Sequence, residues 1–157
     1  MKLRDYQEDL LKKLFAAFDD GFRAPCIVLP CGGGKSVITA EIAKRFTDSG
    51  KRVLFLVHRR ELCDQIYYTF LGCGVDLELC KIKMVQTVAR RLPRIKRPDL
   101  IITDENHHSQ AKTYKKIYDF LAFSSYSPPF GYHRRRMPLY FAFSVPKLLR
   151  SSSSFLR

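Results

Sequence analysis

The sequence predicts an α/β fold, a parallel sheet flanked by helices. Three observations carry this reading. Short apolar runs alternate with segments of helical periodicity from residue 5 to residue 122. No hairpin turn signals separate those runs, so neighbouring strands need crossover connections and pair in parallel. A glycine run and an acid pair each follow directly on an apolar run, and ligands of open parallel sheets bind beyond the carboxyl ends of the strands.

Each element has its own pattern. Over residues 5–20, Tyr6, Leu10, Leu11, Leu14, Phe15 and Phe18 fall on one helical face, and Gly21 ends the pattern. "CIVL" (26–29) reads as a short buried strand. Residues 36–46 carry Val37, Ile38, Ile42, Ala43 and Phe46 at helical spacing, with Gly50 as a stop. "RVLFLV" (52–57) is a continuous apolar run of the parallel-sheet kind. Residues 59–71 return to helix with Leu62, Ile66, Phe70 and Leu71 aligned. "KMVQT" (83–87) is expected as a strand leading into a helix at 88–92. "DLIITDE" (99–105) is a buried strand ending in acids, and "KTYKKIYDFLA" (112–122) is helical.

The chain has 157 residues, the size of one domain, and 46% of them are apolar. No run approaches the roughly 20 apolar residues that span a bilayer, and the start "MKLRDYQEDLL" has no signal-peptide core. The expected location is cytoplasmic. Cys26, Cys31, Cys63, Cys73 and Cys80 form no C-x-x-C pair and have no zinc-like spacing, so reduced thiols are expected. The net charge of +13 favours a polyanionic partner, nucleic acid above all. Residues 1–119 hold 22 basic and 15 acidic residues, while residues 120–157 hold six basic residues and no acid.

Two stretches carry chemistry. In "LPCGGGKS" (29–36), Gly32, Gly33 and Gly34 supply a loop, Lys35 a charge for phosphate and Ser36 a hydroxyl for a metal ion. A phosphate cradle needs backbone N–H groups in a concave turn, and glycine allows the close approach. The helix that follows adds the positive end of its dipole. The common phosphate-loop pattern places a glycine where Leu29 stands, so by itself "GGGKS" fits a cradle or a structural turn equally. In "IITDENHH" (101–108), Asp104 at a strand end suits magnesium and Glu105 suits activation of water, while a helix cap is the structural alternative. His107 and His108 fit a solvated turn as well as a coupling role.

The ordered set of motifs resembles the first RecA-like domain of superfamily-2 DEAD/DEAH-type helicases, over residues 1 to about 122. The nearest likeness is to bacterial and phage helicases related to restriction-enzyme motor subunits. "LRDYQ" (3–7) resembles the adenine-recognising segment, which implies Gln7 as the reader of the base. "LPCGGGKS" resembles motif I, with Cys31 and Gly33 where the family usually carries Thr and Ser. "VHRRELCDQ" (57–65) resembles the backbone-contacting motif Ia and implicates Arg60. "VQT" (85–87) resembles the next such motif and implicates Gln86 and Thr87. "DENH" (104–107) resembles the DEAH form of motif II, with Asn106 for the usual Ala. The resemblance implies a RecA-like P-loop fold, ATP and Mg²⁺ as cofactors, and a nucleic-acid partner, DNA before RNA. It also implies Lys35 at the phosphates, Ser36 and Asp104 at Mg²⁺, and Glu105 at the attacking water. A basic binding module without catalysis is the alternative.

The resemblance stops near residue 122. The family's motif III and its second RecA-like domain, which supplies arginines to the transferring phosphate, have no counterpart here, so the fold is expected to be incomplete on its C-terminal side. The isolated chain is expected to hydrolyse ATP weakly or not at all, and a second domain or chain is an expected partner. Residues 124–154 hold eight of the 11 serines and half of the prolines. Residues 123–157 are therefore expected as a basic, poorly structured tail, from a truncated or frameshifted reading frame. Within it "LYFAFSV" (139–145) is expected as an exposed, aggregation-prone run, with occupation of the vacant motif III strand as the rival.

Overall fold

A computed structural model describes residues 3–22, 24–30, 32–103, 112–123 and 139–144. In chain order the elements are α1 (Asp5–Asp19), β1 (Cys26–Val28), α2 (Lys35–Asp48), β2 (Val53–Val57), α3 (Arg60–Gly72), β3 (Cys80–Met84) and α4 (Val85–Arg90). A 3₁₀ turn (Leu92–Arg94), β4 (Leu100–Thr103), α5 (Lys112–Phe123) and β5 (Leu139–Ser144) complete the set. The strands form one parallel sheet in the order β1-β5-β4-β2-β3.

Alternation along each strand sends successive side chains to opposite faces; both faces are covered at β2 and β4, while β1 leaves Cys26 and Val28 exposed and β3 leaves Lys81 and Lys83 exposed. All five residues of β2 are buried. Val53, Phe55 and Val57 meet α1, α2 and α3, together with Leu100 and Ile102 of β4. Leu54, Leu56 and Ile101 meet α4 and α5 on the other side, against Val88, Tyr114, Ile117 and Leu121. Ring contacts fix the first layer: Phe55 meets Phe70 edge-on at 5.4 Å, and Phe15 stacks on Phe46 at 6.1 Å. Full burial of each such side chain stabilises by about 1.5–3 kcal/mol.

Three expectations from the pattern are corrected. The strand expected at 83–87 runs from Cys80 to Met84, and the helix begins at Val85. Pairing decides this register: Val53 lies beside Cys80 and Val57 beside Met84, so β3 must start level with β2. On α1, Tyr6 is 41% exposed while Gln7 is 4% exposed, and on α3 Leu71 is 55% exposed, so the apolar faces expected from helical spacing are not buried over their whole extent. Residues 139–144 do not lie outside the sheet. They form β5, paired with Cys26–Val28 on one side and Leu100–Thr103 on the other. Two flanking strands with open backbone groups impose a strong demand for a third, which the six-residue run meets.

Among the described residues, no helix is long and apolar enough to cross a membrane. Cys26, Cys63, Cys73 and Cys80 are thiols, and no group of metal-ligating side chains forms among the described residues.

Two measurements test this packing. Ala142 pairs with Cys26 and with Thr103. Ala142→Pro removes an N–H from the middle of the sheet and should cost about 1–3 kcal/mol, read as a lower urea midpoint. Burial pushes the Cys80 thiol up to about 12, while in an unfolded chain it ionises near 8.5. The stability that follows from keeping Cys80 neutral is complete below the unfolded value and is lost as pH rises toward 12. Urea midpoints taken between pH 8 and pH 11 should therefore fall less steeply for Cys80→Ala than for the parent chain.

Candidate functional site

The glycine run leaves β1 and enters α2 through a conformation that only glycine adopts cheaply. Gly32 has φ +78° and Gly34 has φ +69° with ψ 32°, both in the left-handed region. For residues with a Cβ this region costs roughly 1–2 kcal/mol. Between them Gly33 donates its N–H to the Pro30 carbonyl at 3.0 Å, closing the turn. Gly34 is the N-cap of α2, and its carbonyl accepts from Val37 at 3.1 Å and Ile38 at 3.1 Å. The first N–H groups of a helix have no acceptor within it, so the head of α2 presents donors where the loop curves. Lys35 is half-buried in the first turn and Ser36 is exposed beside it. Thr39 Oγ1 donates to the Lys35 carbonyl at 2.7 Å, which fastens that turn.

The loop is braced from α1. The Tyr6 hydroxyl donates to the Gly33 carbonyl at 3.2 Å. The Arg4 N–H donates to Gln7 Oε1 at 3.0 Å, which closes the start of α1 and fixes the Gln7 amide. The other end of that amide, Nε2, lies against Gly34, where a Cβ would collide with it. Gln7 was expected from the sequence. Tyr6 was missed as a loop contact because its spacing set it on the apolar face of α1; its available signal was its place in "LRDYQ" beside Gln7.

The remaining expected residues share one edge of the sheet. Lys35 follows β1, Arg60 follows β2 and opens α3, and Gln86 and Thr87 follow β3 in α4. Arg60 and Gln86 are exposed, and Thr87 is half-buried. Asp104 and Glu105 lie outside the described residues, as do Cys31, His107 and His108. The strand that precedes the acid pair is well anchored: the Thr103 and Tyr118 hydroxyls bond at 2.6 Å, joining the carboxyl end of β4 to α5. Burial pushes the Tyr118 phenol up, opposed by its bond to Thr103.

A small cleft of about 80 Å³ opens beside the first turn of α2, between Lys35, Ser36 and Thr39 on one side and Gln65 and Thr69 of α3 on the other. Leu62, Ile66 and Phe70 line the α3 side as well, and no sequence motif assigns a role to the two polar residues there, Gln65 and Thr69. The donor-rich loop, the amine and the exposed hydroxyl suit a polyphosphate with a hard cation, which takes oxygen ligands.

Comparison with known proteins gives the following. Residues 1–90 match the family described as Type III restriction enzyme, res subunit. A 51.5 kDa protein of a Lactococcus phage is 52% identical over 93 residues, covering 59% of this chain and 21% of the relative. A Saccharomyces cerevisiae protein named as an ATP-dependent helicase, IRC3, is 33% identical over 141 residues, covering 74% of this chain and 20% of the relative. The chain thus spans about a fifth of the length of these relatives. Among solved structures, the helicase domain of Pyrococcus furiosus Hef superposes with a TM-score of 0.64 at 22% identity, covering 90% of this chain and 33% of that one. The last likeness establishes a RecA-like fold.

The brace predicts a specific sensitivity. Gly34→Ala adds a Cβ at φ +69° against Gln7 Nε2. It should lower stability by about 1–3 kcal/mol and weaken binding of a fluorescent ATP analogue. Pairing it with Gln7→Ala should restore part of the stability but not the affinity, by thermal melting and nucleotide titration.

Proposed function

The chain belongs to the res-subunit family of type III restriction enzymes, and from that premise we propose that it is the ATP-binding half of a nucleic-acid motor. ATP hydrolysis would drive movement along a strand in the longer protein or assembly. The observation that carries the reading is the glycine loop itself. Two left-handed glycines lead into a helix headed by Lys35 and Ser36, at the carboxyl edge of a parallel sheet, with Gln7 packed on the loop.

In this reading Gly32, Gly33 and Gly34 cradle the phosphates and Lys35 pairs with their β and γ oxygens. Gln7 reads the adenine. Ser36 and Asp104 hold Mg²⁺, and Glu105 orients and deprotonates the attacking water. Bound Mg²⁺ supplies neutralisation of charge on the phosphates. Arg60, Gln86 and Thr87, along the same edge, hold the backbone of the strand. DNA is the strand proposed, on the strength of the restriction-enzyme family. A second RecA-like domain, in the longer protein or a partner chain, contributes the arginines that complete the site, worth about 10³–10⁵ in rate.

The isolated 157-residue chain should bind a fluorescent ATP analogue and hydrolyse ATP slowly or not at all. Lys35→Ala should weaken that binding by tenfold or more with the fold intact by circular dichroism. Equal binding by the variant would refute the phosphate-loop assignment. DNA-stimulated turnover by the isolated chain, abolished by Lys35→Ala, would refute the need for a second domain.

A further inference from the structure

A second charged feature lies at the opposite edge of the sheet. A hollow of about 520 Å³ is bounded by Arg52, Lys81, Lys83, Arg91, Arg94 and Lys96. Arg52 precedes β2, Lys81 and Lys83 lie on β3, and the other three follow α4 along the 3₁₀ turn and the approach to β4. The hollow therefore takes in the amino ends of β2 and β4 and runs along β3 as far as Lys83, whereas Arg60 and Gln86 follow the carboxyl ends of β2 and β3. Arg60 is not among the residues that bound the hollow; Lys83 stands nearest to it, since both act electrostatically on Cys63.

Three features of the hollow go beyond an ordinary solvated face. First, six cations surround it and one carboxylate, Glu78, stands on its rim. Glu78 pairs with Lys81 at 3.8 Å; among the described residues, Arg52, Lys83, Arg91, Arg94 and Lys96 make no ion pair. Second, the cations converge from separate segments. Lysines on an edge strand discourage edge-to-edge pairing, which accounts for Lys81 and Lys83. That protection does not account for Arg91, Arg94 and Lys96 facing the same space. Third, the floor is apolar, with Leu54 and Ile95 beneath the charges. Low-dielectric walls focus the field of like charges and raise the local concentration of anions.

We propose that this hollow is a second nucleic-acid contact, which holds the phosphodiester backbone of a strand at the amino edge of the sheet. Lys81 and Lys83 lie on one face of β3, so their attachment points are about 6.6 Å apart and form a short row. Arg91 and Arg94 opposite them bring planar forks that bind phosphate oxygens in pairs. A strand laid between these walls meets cations on both sides. The choice of a nucleic acid over another polyanion rests on the motor reading above; the anion-binding character of the hollow does not.

The test omits nucleotide, so failure of the ATP site leaves it unaffected. A labelled single-stranded 15-mer is titrated with the full chain over a range of salt, read by fluorescence anisotropy. Arg91→Ala/Arg94→Ala/Lys96→Ala should reduce the slope of log affinity against log salt by about 2 and weaken binding about tenfold at low salt. Lys81→Ala/Lys83→Ala, on a different segment, should reduce the slope by about 1. Arg60→Ala, at the other edge, should add its loss to that of either variant. Unchanged slopes in both multiple variants, each with a native circular dichroism spectrum, would overturn the proposal. Displacement of the 15-mer by oligoglutamate as effectively as by unlabelled 15-mer would overturn it too, and would assign the hollow to acidic peptides.

Discussion

The parallel pairing of β5 with both β1 and β4 is the constraint on which the rest of the site depends. Among the described residues, β1 joins the sheet only through β5. The glycine loop hangs from the end of β1, and the acid pair follows β4. The spacing between the carboxyl ends of β1 and β4 is therefore set by one intervening strand. Backbone hydrogen bonding makes this strong but indifferent to side chains. Any extended segment of sufficient length can fill the gap, which is why a run from a serine- and proline-rich part of the sequence does so.

A second layer of constraint comes from α1. Its apolar face, centred on Leu11 and Leu14, packs into the same core as α2. That packing brings Tyr6 and Gln7 onto the loop, where a hydroxyl and an amide replace the usual apolar contact. The arrangement explains why a glutamine is buried on a helix exposed to water on its other side. Its Oε1 satisfies the Arg4 N–H, so burial leaves that acceptor bonded. It also explains Gly34: left-handed backbone and contact with Gln7 both exclude a Cβ, and either alone would be a weaker restriction.

The legible and illegible parts of this molecule divide along physical lines. Local periodicity specified α1, α2, α3 and α5 to within two or three residues, because each has one apolar face. The continuous apolar runs gave β2 and β4, since strands buried on both faces need no alternation. β3 was misplaced because Lys81 and Lys83 alternate with half-buried Ile82 and Met84 at an exposed edge, so its start is decided by pairing with β2. β5 was misjudged because its place in the sheet depends on a vacancy between two distant strands, a property of topology that no local pattern carries. In the site, "GGGKS" and Gln7 were readable from residue type and order. The Tyr6 contact and the polar wall from Gln65 and Thr69 were not, since helix docking brings them to the loop across 27 or more residues.

The two edges of the sheet also differ in the kind of specificity they can express. At the carboxyl edge the loop imposes fixed backbone donors, an amine and a hydroxyl, a geometry suited to one compact polyphosphate. At the amino edge the charges sit on long, exposed side chains around an apolar floor, a geometry suited to a repeating anion in many registers. The first arrangement rewards exact fit, because glycine backbone cannot adjust without losing its turn. The second tolerates sliding, because lysine and arginine stems reorient at small cost in water. A parallel sheet thus carries two unlike ends, one built of fixed backbone and one of mobile side chains.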